Sequence, residues 1–249
     1  MNLDRVTITG PDNSINPTDL ISLTKEFPFV EWGILYSASS MGSNRFPNAD
    51  WLHELRSMSR REHLPLSLHL CGQYVRRILV GDDPQDVWTF IDVFDRVQLN
   101  FHAEKNICNP KACHGTLLRL SDHGQREFIF QIDGERGNQH LKAIQEEGDD
   151  FRSFGLFDVS GGAGILPRDW PAPLLMLDDG TPDYHGYAGG LGPDNLAEQI
   201  PLIAKAANGC RFWIDMETHV RSHNDRIFDL EKVRRCLEIA KPFVRPRRL

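Results

Sequence analysis

The sequence predicts a (β/α)8 TIM barrel, an α/β fold, built as one domain over residues 1–249, and three observations predict it. Short β-rich runs ending in polar or glycine-containing loops alternate with segments of helical periodicity, the pattern of βα units in a parallel sheet. Eight such runs fit into 249 residues, about 31 residues to a unit, against the roughly 250 residues of a typical whole barrel. No Ser/Gly/Pro-rich linker or low-complexity stretch separates two parts of the chain. An open doubly wound sheet is the competing arrangement that the count alone leaves standing.

Taken in order, the first run is 6–9 (VTIT), followed by Leu20, Ile21 and Leu23 as the apolar side of a first helix. The second, 30–36 (VEWGILY), leads to Trp51, Leu52, Leu55 and Met58, spaced i, i+1, i+4, i+7 behind Asn48 as a cap. The third is 65–70 (PLSLHL). Val87, Phe90, Ile91 and Phe94 form an i, i+3, i+4, i+7 stripe that predicts a helix ahead of the fourth run, 96–100 (RVQLN). The weakest helical signal precedes the fifth run, 127–132 (EFIFQI), and the sixth is 154–158 (FGLFD). The seventh, 184–188 (YHGYA), precedes Leu196, Ile200 and Ile203, a helix in which Pro201 is expected to force a kink or a restart. The eighth, 211–215 (RFWID), is followed by Leu230, Val233 and Leu237, which close the chain.

Composition narrows the function classes. Lys and Arg number 28 against 35 Asp and Glu, a formal charge of −7, with 40% hydrophobic and 25% charged residues, which is an ordinary globular balance. No run reaches the roughly 20 apolar residues of a membrane helix. Residues 1–10 lack the basic and apolar regions of a signal peptide, so a cytoplasmic protein with no membrane partner is expected. The five cysteines, Cys71, Cys108, Cys113, Cys210 and Cys236, are odd in number and scattered, which predicts reduced thiols. The acidic balance gives no footprint for broad nucleic-acid binding, and Arg245, Arg247 and Arg248 read as a solvated end.

In a barrel the chemistry sits at the C-terminal ends of the strands, so those residues carry the functional reading. The sixth run ends in Asp158 and enters a glycine-rich loop with Gly161, Gly162 and Gly164, whose backbone N–H groups can approach an anion closely. The seventh ends in Ala188, Gly189 and Gly190 ahead of a helix N-terminus, a setting that suits phosphate. The eighth ends in Asp215, with Glu217, Thr218 and His219 after it. His69 and Cys71 close the third run at alternating positions and share one face.

These residues resemble the phosphoribosylanthranilate isomerases of tryptophan biosynthesis, (β/α)8 barrels of the ribulose-phosphate-binding group. The resemblance rests on 156–164 (LFDVSGGAG) with Asp169 and Trp170 after it, on 188–195 (AGGLGPDN), and on Trp213, Ile214 and Asp215 before a late helix. Upstream, Val97, Gln98 and Leu99 look like the family's fourth-strand motif, with Gln98 facing substrate. Residues 33–36 (GILY) with Ser39, Ser40 and Arg45 look like its second strand and following loop. The region 106–149 has little counterpart.

The resemblance implies an Amadori rearrangement of an aminoaldose phosphate into an aminoketose phosphate. It implies Asp158 as the general acid on the ring oxygen, Arg45 as the holder of the substrate's carboxylate, and Gly189, Gly190 and Thr218 as the phosphate cradle. It also implies no cofactor and no metal, a small phosphorylated metabolite as partner, and a monomer or homodimer.

The chain departs from that family where the reaction needs a base. The family's first strand carries a cysteine before a glycine; here Thr9 precedes Gly10, and an unassisted hydroxyl is a poor base near neutral pH. The serine and glycine that follow the family's eighth-strand aspartate are replaced by Glu217 and His219. Cys71, Asp215, Glu217 and His219 are the candidates for the missing base, and Asp215 opposite Asp158 is the arrangement that pushes two carboxyl pKa values apart. The other readings of the same barrel are an epimerase, aldolase or lyase, or a protein that only binds a phosphorylated ligand.

A second resemblance, to the ribulose-phosphate 3-epimerases, lies in 68–70 (LHL) and 101–104 (FHAE). The metal-binding residues that those enzymes carry on the second and seventh strands have no counterparts here. Cys108, Cys113 and His114 fit no standard zinc spacing, and isolated thiols in a loop are expected there.

Overall fold

In the computed structural model, eight parallel strands close on themselves in chain order, each pairing with the next and the last with the first. The described residues are 1–100, 108–121, 125–132, 135–158, 160, 163–173 and 184–246, with backbone alone for 135–139. The strands are β1 (Leu3–Thr9), β2 (Val30–Tyr36), β3 (Leu66–Leu70), β4 (Arg96–Leu99), β5 (Glu127–Ile132), β6 (Ser153–Asp158), β7 (His185–Ala188) and β8 (Phe212–Met216). All eight predicted runs are therefore strands, shifted by at most a few residues at their ends. Closure excludes the open doubly wound sheet. Each strand is buried along most or all of its length because helices cover the outside while side chains fill the inside.

Among the described residues seven α-helices pack around the barrel: α1 (Pro17–Glu26), α2 (Ala49–Glu62), α3 (Gln73–Leu79), α4 (Pro110–Leu120), α5 (Glu135–Gln145), α6 (Leu196–Ala206) and α7 (Leu230–Ala240). Their starts are chemically marked. Asn16 and Asp19 form a reciprocal capping box on α1, the Asn48 side chain accepts from the Trp51 N–H, and Asp229 accepts from the first N–H groups of α7.

One expectation about the helices is corrected. The stripe of Val87, Phe90, Ile91 and Phe94 forms two short 3-10 turns, Gln85–Thr89 and Ile91–Val93, and the α-helix after β3 is α3, whose buried residues are Tyr74, Val75, Ile78 and Leu79. The apolar side chains bury as the spacing suggests, but Pro84 and the aspartates at 82, 83, 86 and 92 favour short turns over a continuous helix. Pro201 lies inside α6 without a restart, at the sixth position of the helix. Between β6 and β7 the described residues include no helix.

The core has two parts. The larger fills the layer between barrel and helices, and a smaller cluster of Ile129, Phe154, Leu156, Ala188 and Trp213 fills one side of the barrel interior. The opposite side is polar. Glu31 accepts from Arg5 at 2.6 Å, from Arg96 at 2.9 Å and from the Thr7 hydroxyl at 2.9 Å, and the Arg96 guanidinium lies 4.2 Å above the Trp213 ring. Burial opposes the charge on Glu31, but the two guanidiniums outweigh it and hold the carboxyl at about 2. The charged floor supports the layer of side chains above it, where the strands end. Among the described residues no helix is long and apolar enough to cross a membrane.

Candidate functional site

At the C-terminal mouth of the barrel a cavity of about 290 Å³ is lined by the ends of β2 to β8 and the loops that follow them. Asp158 and Asp215 stand in one register layer: Asp158 pairs with Ala188 of β7, and Ala188 pairs in turn with Asp215. The methyl group of Ala188 between them leaves the space open. Two strand spacings put their Cα atoms about 9–10 Å apart.

The two carboxyls sit in contrasting surroundings. Asp158 accepts from Gln131 Nε2 at 2.8 Å, from the Ser160 backbone N–H at 3.1 Å and from the Ser160 hydroxyl at 2.7 Å. Asp215 accepts from Thr9 Oγ1 at 2.7 Å. Burial raises the Asp215 carboxyl well above the usual carboxylate range; the Thr9 bond opposes this, and the negative charges of Glu217, Asp158 and Glu31 add to it. Thr9, the residue at the family's cysteine position, is a buried donor that holds Asp215.

Cys71 lines the cavity, but burial pushes its thiol up to about 12, so near neutral pH it is a thiol and not a base. Its sulfur accepts from Asn100 Nδ2 at 3.2 Å, and Asn100 Oδ1 accepts from Gln98 Nε2 at 2.9 Å. Below the mouth His69 is buried with no hydrogen-bond partner on Nε2, and loss of solvation lowers it to about 3, which keeps the ring neutral. Gly33 explains how Thr9 and His69 fit side by side. A methyl group there would overlap Thr9 Oγ1 and stand 2.8 Å from His69 Cε1.

Arg45 and Glu217, both assigned to substrate, are paired with each other. The Arg45 guanidinium, assigned to a substrate carboxylate, already donates to Glu217 Oε1 at 2.5 Å and to Asp225 Oδ2 at 2.6 Å, while its backbone N–H donates to Asp12. Arg221 ties the same loops together through Asp12 and the Gly10 carbonyl. Glu217 lines the cavity, and burial with the nearby charges of Asp158 and Asp225 raises its carboxyl in spite of Arg45.

The predicted phosphate cradle is packed by the protein's own chain. Gly190 has φ +66°, and a side chain on it would overlap the Leu166 backbone nitrogen; one on Gly189, at φ +114°, would stand 3.0 Å from the Ile165 carbonyl oxygen. Thr218 rests on Gly164, and His219 Nε2 lies 3.0 Å from the Gly164 carbonyl oxygen. These four residues still border the cavity, at its rim. Gly161, Gly162, the 101–104 segment and the terminal Arg247 and Arg248 lie outside the described residues.

No protein-family profile matches the chain, and no curated protein matches it. Solved structures do resemble it. N-(5'-phosphoribosyl)anthranilate isomerase from Pyrococcus furiosus superposes with a TM-score of 0.53 at 16% identity, over 96% of this chain and 98% of that one. The phospho-2-dehydro-3-deoxyheptonate aldolase of Thermotoga maritima gives 0.54 at 12% identity, over 96% of this chain and 69% of that one. A truncated 3-deoxy-D-arabino-heptulosonate 7-phosphate synthase, also from Thermotoga maritima, gives 0.56 at 10% identity, over 96% and 86%. At these identities the likeness establishes the barrel and does not select a reaction.

The residues that strand-end reading did not single out are Gln131, Ser160 and Asn100. Gln131 was within reach, because it stands one residue before the end of β5, beside the strand that carries Asp158, and lines the cavity. The thiols expected to be isolated are not. Cys113 is buried in α4 and hydrogen-bonded to Cys108, just ahead of the helix cap, and none of the five cysteines is in a disulfide. Among the described residues no group of three or more His, Cys, Asp or Glu is placed to hold a metal ion.

Proposed function

We propose that the chain is an acid–base isomerase of a phosphorylated sugar, running an aldose-to-ketose rearrangement of the Amadori type. The observation that carries this reading is the pair of carboxyls in one layer, Asp215 with its pKa raised and Asp158 wrapped by the donors of Gln131 and Ser160. Such a pair supplies one proton donor and one proton acceptor in a single cavity.

The roles are the reverse of those that the resemblance implies. Asp215 holds the proton and delivers it to the ring oxygen as the C1–O bond breaks and the C1 imine forms; Asp158 takes the proton from C2 to give an enaminol, which becomes the aminoketose when a proton is returned to C1. Thr9 positions Asp215, and Gln131 with Ser160 positions Asp158. The phosphate sits at the rim beside Thr218, His219, Gly189 and Gly190, while the hydroxylated chain enters toward Gln98. Cys71 takes no part as a base. This pair removes the need for the first-strand cysteine.

The test is deuterium wash-in. Purified protein is incubated in D2O with freshly generated phosphoribosylanthranilate and with a panel of aldose phosphates, and label at C2 and ketose formation are followed by NMR. Exchange on at least one substrate, reduced more than a hundredfold in both Asp158→Asn and Asp215→Asn, is the expected result. Absence of exchange on every substrate, or exchange that survives both variants, rejects the proposal.

A further inference from the structure

The cavity is rich in acceptors and poor in cations. Asp158, Asp215 and Glu217 contribute carboxyl groups, and among the described residues no lysine or arginine lines it. Arg45, next to it, is held by Glu217 and Asp225. An acidic lining alone says little about a ligand. Two buried amides say more.

Gln131 and Gln98 are only 5% and 4% exposed, both line the cavity, and among the described residues the Oε1 atom of each has no hydrogen-bond partner. The orientation of Gln131 is fixed by chemistry. Asp158 Oδ2 also takes part in the carboxylate that accepts from Ser160, so the amide must turn its NH2 toward it and leave its oxygen bare. For Gln98 the polarity is set by a chain: the Cys71 thiol points at the His69 carbonyl, Asn100 donates to the sulfur, and Gln98 donates to Asn100. That chain ends on a bare Gln98 oxygen. A buried acceptor left without a donor is destabilising, so a ligand that brings donors to these oxygens recovers that cost.

From this arrangement we infer that the part of the substrate entering the cavity is a basic aminopolyol, a chain of hydroxyl groups carrying an aliphatic amine, whose donors meet Gln98, Gln131 and the three carboxyls and which bears no carboxylate of its own, its phosphate staying at the rim. The inference rests on the isomerase reading and deepens it. It replaces the aryl carboxylate that the family's substrate brings to Arg45 with an ammonium group, in keeping with an arginine that is already paired.

Isothermal titration calorimetry with three probes of equal length tests it: 1-amino-1-deoxysorbitol, sorbitol and gluconate. The aminopolyol is expected to bind at least tenfold more tightly than sorbitol, with gluconate weaker than both. Gln98→Leu is expected to weaken the aminopolyol and sorbitol alike. Glu217→Gln is expected to weaken the aminopolyol by about tenfold and sorbitol by much less, a pattern that general loss of structure does not produce; thermal melting is recorded for each variant. Gluconate binding as tightly as the aminopolyol overturns the inference, as does equal binding of all three, or no binding by any of them at millimolar concentration. The two proposals fail separately. Deuterium exchange on an aldose phosphate without aminopolyol binding rejects only the ligand class, and aminopolyol binding without exchange on any aldose phosphate rejects only the isomerase.

Discussion

Replacing Glu31 by glutamine removes the charge at the centre of the barrel floor and leaves the shape almost unchanged. In the native protein Glu31 accepts from Arg5, Arg96 and Thr7, and Arg96 is fully buried, with its Nε and Nη2 atoms lacking hydrogen-bond partners. Glu31→Gln therefore leaves a buried guanidinium without its main counter-charge, a change that costs about 3–5 kcal/mol. Proton linkage gives an independent figure. The carboxyl lies at about 2 in the fold against an ordinary value of 4.5, and at about 1.36 kcal/mol per pH unit the gap corresponds to roughly 3 kcal/mol.

The sign follows from the direction of the shift. A carboxyl whose pKa is lowered by folding stabilises the protein above its unfolded value, and that contribution disappears as pH falls from about 4.5 toward 2. Urea unfolding of wild type and Glu31→Gln at pH 7, 5 and 3.5 measures both effects. The expected gap of about 3 kcal/mol at pH 7 shrinks as the solution is acidified. A variant within about 1 kcal/mol of wild type at pH 7, or a gap that stays constant down to pH 3.5, would refute the account of the floor as an ion-paired network.

Three further outcomes follow from the site. Thr9→Val removes the one hydrogen bond on Asp215 that opposes its raised pKa, so the Asp215 titration read by carboxyl 13C NMR moves to higher pH; a move to lower pH contradicts the positioning role of Thr9. Gly33→Ala places a methyl group against Thr9 Oγ1 and His69 and is expected to cost about 1–3 kcal/mol by overpacking. Scanning calorimetry should show that cost as a lower melting temperature, and an unchanged melting temperature shows that the two side chains separate freely. Asp158→Asn removes the proton acceptor and is expected to slow C2 exchange by more than a hundredfold, whereas a rate within threefold of wild type removes Asp158 from the chemistry.

The eight strands were legible because a barrel strand is buried on both sides. Runs such as 30–36 therefore read as continuous apolar or β-branched stretches bounded by polar turns. Helix starts were legible where a side chain closes the first turn, as Asn48 does. The carboxyls of the mouth were legible from position alone, because the fold assigns chemistry to strand ends. The stripe from Val87 to Phe94 misled because the same spacing of buried side chains is satisfied by two 3-10 turns, and periodicity does not record which backbone hydrogen bonds form.

By itself the sequence determined the barrel, the strand ends and the presence of Asp158 and Asp215 at its mouth, all of which follow from local patterning and one geometric rule. Tertiary structure decided everything that depends on which strand lies beside which. It placed Arg5 and Arg96 on Glu31 across 26 and 65 residues of chain, and Thr9 on Asp215 across 206. It spent Arg45 on Glu217 and Asp225, and it laid the backbone of residues 165–166 over the Gly189–Gly190 turn. Protonation and ligand preference depend on the charges, donors and solvent within a few ångströms of a group, and closing the barrel is what brings those neighbours together.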